Sequence, residues 1–255
     1  MGGRAQELKK GSRLDTLLVD RGLVATRERA RALILAGQVR VNGQPATKAG
    51  HAVASEDAVT LDQPDHPYVG RGGLKLAHAL EAFGISAAGR LALDIGASTG
   101  GFTDVLLQRG ATRVVALDVG HGQLDWKLRK DPRVLVMERQ NARTLTAEQL
   151  PEDARRFALI TIDVSFISLR QILPVLPPLL EPGGDVVALV KPQFEAGRQE
   201  VGRGGIVRDE EVHQRVVEDV TAAARALGLT RIGLVESPIT GMEGNREFLL
   251  HLRLS

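Results

Sequence analysis

Four polar residues spread over most of the chain have types and settings suited to joint chemistry: Lys75, Asp163, Lys191 and Glu247. Asp163 closes FALITIDVS, Lys191 closes DVVALVKP and Glu247 stands in GNREFLLHL, all segments that read as the ends or flanks of buried strands. Lys75 sits just before an apolar helical run in GRGGLKLAHALEAFG. Two lysines and two carboxylates can form one hydrogen-bonded cluster, and a lysine held there can work on a hydroxyl proton. Any one of the four alone reads more commonly as a strand-end ion pair.

A second feature is the glycine turn DIGASTGGF, residues 94–102. Glycines after a strand let the backbone turn sharply and approach a ligand. The spacing is not GxGxxG, because Gly96 is followed by Gly100 and Gly101, and it is not a P-loop, because Phe102 stands where lysine is required. Asp118 ends the next strand, placed to accept from both ribose hydroxyls of a nucleoside, and Asn141 follows the third strand within reach of an adenine edge. Adenosine recognition without a phosphate cradle suits S-adenosylmethionine. Its candidate contacts are Asp94, Gly96, Ala97, Ser98, Thr99, Gly100, Gly101, Phe102, Asp118 and Asn141. Together the two features suggest transfer of a group onto a hydroxyl.

The elements that must position these residues form an α/β module expected over 74–255. RLALDIG, RVVALDVG, RVLVMERQN, FALITIDVS and DVVALVKP read as successive strands. Helices are expected in GFTDVLLQRG, around Leu169 to Leu180, and over Asp209 to Leu227. TRIGLVESP and REFLLHLRL have no helix between them and read as an antiparallel pair. A doubly wound, mostly parallel sheet places ligands at the carboxyl ends of its strands.

A smaller module is expected over 11–64. Ser12 with Asp15 fits a capping box before the stripe of Leu14, Leu17 and Leu18. Thr26 caps a second helix with Ala30, Leu33, Ile34 and Ala36 inward and Gly37 as the stop. QVRVNGQPA reads as a strand with a tight turn at Asn42-Gly43, and DAVTLD as a closing strand. From Arg4 to Lys48 ten basic residues face four acidic ones, so this stretch carries +6 of a chain whose net charge is +2. That asymmetry suggests a polyanion partner, with Arg27, Arg29, Arg31 and Lys48 facing solvent. Residues 65–73 read as a linker rich in proline and glycine.

RLDTLLVDRGLVATRERARALILAGQVRVNG resembles the S4 RNA-binding domain, which implies RNA rather than DNA as partner. Arg13, Arg27, Arg29, Arg31, Arg40, Lys48 and Arg71 are the candidate RNA contacts. The second module resembles the FtsJ-type 2′-O-ribose methyltransferases and their Lys-Asp-Lys-Glu tetrad. GRGGLKL, TIDVSFISL, LVKPQFE and GMEGNREFL carry it onto Lys75, Asp163, Lys191 and Glu247. Both modules together resemble the TlyA family of rRNA (cytidine-2′-O)-methyltransferases, also labelled haemolysins. Gly70, where a serine is expected before Arg71, departs slightly from that pattern. The resemblance implies a Rossmann-like S-adenosylmethionine-dependent methyltransferase acting on ribosomal RNA, 16S, 23S or both. To act as a base Lys191 must be neutral. Burial and Lys75 favour that form and the two carboxylates oppose it, so base and oriented cation both stay open.

Cysteine is absent, which excludes disulfides and thiol nucleophiles. No stretch reaches the ~18 apolar residues of a membrane span, and the N-terminus lacks a signal-peptide core. A cytoplasmic monomer without membrane or metal partners is expected. Neither a lytic protein nor a non-catalytic RNA-binding assembly factor accounts for the tetrad and the cofactor turn together. A base methyltransferase is expected to carry an NPPY-like or cysteine motif, and the fourth strand here ends in DVSF. The glycine-rich stretch Glu195 to Asp209 is either a closing loop over RNA or a plain connection.

Overall fold

The computed structural model describes residues 11–24, 26–62, 66–241 and 244–254, in two compact units, 1–67 and 68–255. The basic residues Arg4, Lys9 and Lys10 and the reading of the N-terminus lie outside the described residues.

The first unit holds β1 (Ser12–Arg13), α1 (Leu14–Asp20), α2 (Arg27–Leu35), β2 (Val39–Val41), β3 (Gln44–Pro45), β4 (Ala52–Val53) and β5 (Val59–Leu61). Leu14, Leu18, Ala30, Ile34, Val39 and Val53 form its core. The Thr26 side chain accepts from the backbone N–H of Arg29 and caps α2 as expected. Asn42 and Gly43 both take positive φ in the turn joining β2 to β3. The capping box at Ser12 does not form. Ser12 pairs with Val53 in a two-stranded ladder, and α1 begins at Leu14 without a side-chain cap. Asp15, its supposed partner, is buried beneath three guanidinium groups, those of Arg13, Arg27 and Arg31, at 3.0–3.1 Å. Arg27 and Arg31 are exposed as expected, and they hold Asp15 as well. Ala36, expected inward, is exposed at the end of α2.

The second unit is built on α3 (Gly72–Ala82), β6 (Leu91–Ile95), α4 (Gly101–Gln108), β7 (Arg113–Leu117), α5 (Trp126–Lys130), β8 (Val134–Met137), β9 (Phe157–Ile162), β10 (Leu180–Val190), α6 (Pro192–Glu195), α7 (Glu210–Arg225), β11 (Leu229–Glu236) and β12 (Phe248–Leu254). One seven-stranded sheet runs in the order β11-β12-β10-β9-β6-β7-β8. β8, β7, β6, β9 and β10 are parallel, and β12 is antiparallel to both its neighbours. Alternate side chains fill cores on both faces: Leu93, Ile95, Val115 and Ile160 on one, Ala92, Val114, Leu159 and Val187 on the other. Burial on both sides explains why these strands read as continuous apolar runs.

The helix expected around Leu169 to Leu180 is absent. Three short 3₁₀ turns stand there instead, at Leu169–Gln171, Leu173–Val175 and Pro177–Leu179. Pro174, Pro177 and Pro178 supply no N–H donors, so an α-helical ladder cannot run through. Among the described residues, no helix is long and apolar enough to cross a membrane.

Candidate active site

The carboxyl ends of β6, β7, β9 and β10 and the start of β12 deliver the site. Lys191 follows β10, and its Nζ lies 2.6 Å from Asp163 Oδ1 after β9. The same ammonium donates to Ser165 Oγ at 2.9 Å. Its approach to Asp163 Oδ1 is too oblique for a hydrogen bond, and that buried oxygen has no other hydrogen-bond partner among the described residues. Lys75, on the first turn of α3, donates to Glu247 Oε2 at 2.5 Å, both side chains almost wholly enclosed. Glu247 stands one residue before β12. The four residues thus meet as two ion pairs in the wall of one cavity of about 540 Å³, which Arg71, Gly72, Gln193, Phe194 and Asn245 also line.

A second cleft, of about 630 Å³, opens beside the glycine turn. Gly96, Ser98, Asp118 and Asn141 line it with Val119, Gln123, Ile167 and Ile172. Gly96 has φ +86, and a Cβ there would stand 2.3 Å from the carbonyl oxygen of Asp163, so only glycine lets β6 turn against β9. Asp118 Oδ2 accepts from Ser98 N and Oδ1 from Gly120 N, both at 2.7 Å, which sets the carboxylate at the cleft's edge. Asn141 Oδ1 accepts from the backbone of Arg143. Thr99, Gly101, Phe102 and Ala97 line a smaller recess that also reaches Lys191. Gly100 (φ +98) caps α4.

Asp94 is a different case. It is fully buried beneath the turn, accepting from Thr103 Oγ1 at 2.7 Å and Thr161 Oγ1 at 2.9 Å. Burial pushes its carboxyl up to about 7 against those hydrogen bonds, with the nearby Asp163 charge adding to the rise. It supports the turn from below and lines neither cleft. At Gly70 a Cβ would lie 2.8 Å from Thr99 Oγ1, so the serine expected there would crowd the turn.

Asp163 and Ser165 line both clefts and the recess between them. Phe166, next in sequence, also faces both; it is 91% exposed and takes φ +64, a strained value for an aromatic residue. Ser165, Phe166, Val119 and Gln123 were not among the residues expected at the site. The signal for Ser165 and Phe166 was adjacency to Asp163 in DVSF. Ser168 caps the following 3₁₀ turn. Its hydroxyl also donates to Glu195 Oε2 at 2.6 Å, and Leu169 N donates to Oε1 at 2.6 Å. Burial pushes the Glu195 carboxyl up, and these bonds pull it back. The stretch after Glu195 is pinned rather than free: Asn245 accepts from Val207 N and donates to Gly205 O.

The remaining basic candidates stand as follows. Arg40 pairs with Asp62 at 2.6 Å. Lys48 is exposed and Arg29 half-buried. Arg71 donates to Thr240 O at 3.4 Å.

The donor set fits S-adenosylmethionine. Asp118 can take the ribose hydroxyls, and the apolar Leu117, Val119, Ile167 and Ile172 can enclose an adenine. The glycine turn, with Phe102 where a P-loop has lysine, offers no cradle for a polyphosphate.

Known proteins share this organisation. The FtsJ-like methyltransferase family model matches residues 68–254, and the S4 domain model matches 12–59. The 16S/23S rRNA (cytidine-2′-O)-methyltransferase TlyA of Mycobacterium tuberculosis is 49% identical over 96% of this chain and 91% of its own. Hemolysin A of Brachyspira hyodysenteriae is 41% identical over 94% of this chain and 98% of its own. A solved structure from Streptococcus thermophilus, assigned the name hemolysin, superposes with a TM-score of 0.75 at 48% identity, covering 96% of this chain and 89% of that one.

Proposed function

Because the chain belongs to the FtsJ-like methyltransferase family, we propose that it moves a methyl group from S-adenosylmethionine to a ribose 2′-hydroxyl, that of cytidine in ribosomal RNA. The observation that carries this reading is the shared wall: Asp163 and Ser165 belong at once to the nucleoside cleft and to the cavity of the two lysines. A methyl donor in one cleft and a hydroxyl in the other meet at that wall. The S4 domain supports RNA as the substrate. We further read the protein as a cytoplasmic monomer, consistent with a ribosomal target.

S-adenosylmethionine, when bound, supplies a methyl carbon activated by a sulfonium. The chain's own residues do the rest. Lys191, paired with Asp163 and Ser165, is an oriented cation that donates to the 2′-oxygen and fixes its line of approach. Lys75 and Glu247, an enclosed ion pair, form the opposite part of the same cavity's wall and fix its shape. Attack of the 2′-oxygen on the methyl carbon would break the carbon–sulfur bond, release the neutral thioether S-adenosylhomocysteine and leave the oxygen's proton strongly acidic. Asp163, 2.6 Å from the Lys191 ammonium, keeps that cation in place while the proton passes to water in the open cavity. Alignment of the two partners supplies much of the rate, since oriented reactants gain up to about 7–11 kcal/mol over free ones.

The test is methyl transfer from labelled S-adenosylmethionine to ribosomal subunits by the wild type and by Lys191→Ala, with the product mapped on the RNA. Label on a ribose 2′-oxygen that disappears in the variant is expected. Tight cofactor binding without transfer to either subunit would sink the reading.

A further inference from the structure

Two segments build the wall between the clefts: residues 163–169 after β9, and Lys191 with α6 after β10. They touch at three levels. At the chemistry, Lys191 meets Asp163 and Ser165. Next, the rings of Phe194 and Phe166 lie 5.1 Å apart. Last, Glu195 receives Ser168 Oγ and Leu169 N, each at 2.6 Å, with Arg170 Nε at 3.6 Å. Glu195 is buried and lines neither cleft, so it reaches no substrate.

The segment it holds contains a strained residue. Phe166 sits at φ +64 with its ring in solvent, a conformation that persists only where the surroundings impose it. The imposed order starts at Asp163 N, which donates to Ile95 O in the sheet, and ends at Leu169 N on Glu195. Between those two anchors lie the ammonium's two partners.

Resting on the methyl-transfer reading, we propose that Glu195 is a positioning residue for the reaction. It clamps the Ser165–Leu169 segment to α6 and so sets the distance from Asp163 and Ser165 to Lys191. A carboxylate suits the task because its two oxygens take a hydroxyl and a backbone N–H at once.

The experiment compares wild type, Glu195→Ala and Glu195→Gln on the methylated subunit, with S-adenosylhomocysteine affinity measured in parallel. Misplacing a reacting group by about 1 Å costs on the order of a hundredfold, and that loss of kcat is expected for the alanine variant. The KM for RNA should move little, and S-adenosylhomocysteine affinity, to which Ile167 of the same segment contributes, should fall far less than kcat does. Glutamine can accept from Leu169 N and donate to Ser168 Oγ, so Glu195→Gln should recover most of kcat. If the alanine variant does not fold, Ser168→Ala removes the other end of the clamp and should lower kcat in the same selective way. Unchanged kcat in a variant of lowered melting temperature would overturn the proposal, as would equal losses in kcat and cofactor affinity. A wild type that transfers no methyl group would instead remove the functional reading, and this role with it.

Discussion

Replacing Asp94 by Asn should invert its effect on stability between acid and alkaline pH. The carboxyl is fully buried and held at about 7, against an ordinary value of 3.8. An acid whose folded value is raised contributes most below its unfolded value, and that contribution is lost as pH climbs through the folded one. For Asp94 the window is about 4 to 7, after which the folded unit carries a buried charge. From pH 5 to pH 7 the loss is about 3 kcal/mol, at about 1.4 kcal/mol per pH unit. Asparagine keeps an acceptor and a donor for the Thr103 and Thr161 hydroxyls and does not titrate. The stability of Asp94→Asn relative to wild type should therefore rise by about 3 kcal/mol between pH 5 and pH 8. Urea unfolding followed by the fluorescence of Trp126, the chain's single tryptophan, reads the second unit directly. Other titrating groups cancel in the difference between the two proteins. A difference that stays flat across this range would refute the argument, because Asp94 would then be charged throughout or in contact with water.

Gly96→Ala should abolish S-adenosylhomocysteine binding in calorimetry, since its Cβ would meet the Asp163 carbonyl at 2.3 Å on a backbone of positive φ; retained affinity would mean the turn can shift at no cost. Glu247→Gln leaves the Lys75 ammonium enclosed without its counter-charge. Removing one partner of such a pair costs about 3–5 kcal/mol, readable as a lower urea midpoint, and an unchanged midpoint would show that water reaches the lysine. Asp15→Ala should loosen the first unit by about 1.5–3 kcal/mol, the worth of a charge-assisted hydrogen bond. Hydrogen exchange in α1 and α2 would show it, with amides as slow as in wild type counting against it.

The sheet was legible because its strands are buried on both faces and leave unbroken apolar runs such as FALITI and VVALV. The meeting of Lys75, Asp163, Lys191 and Glu247 in one cavity wall was legible as well, since three of them stand at the ends or flanks of such runs. What escaped depends on contacts distant in sequence. Asp15 reads as a capping residue until Arg27 and Arg31 fold over it from twelve and sixteen residues away. The ladder of β1 with β4 is two residues long, too short for any periodicity. Glu195 read as the start of a glycine-rich loop, because nothing in PQFE reveals that the next layer of the fold supplies its donors. The 3₁₀ turns over 169–179 were written in the prolines, whose missing donors outweigh the helical spacing of the leucines around them.

The place of β12 in the sheet has a consequence for biogenesis. Its residues come late in the chain, yet it lies between β10 and β11 and pairs with both. A ribosome making this protein completes β10 well before the strand that pairs with it, and β11 only shortly before. Until then β10 offers an open edge, and β11 has no place on the sheet. Lys75 meanwhile waits for Glu247, which arrives on the same late segment. A nascent chain thus stays inactive and exposes a pairing edge until residues 248–254 emerge. Activity and protection from aggregation arrive together, with the insertion of one strand.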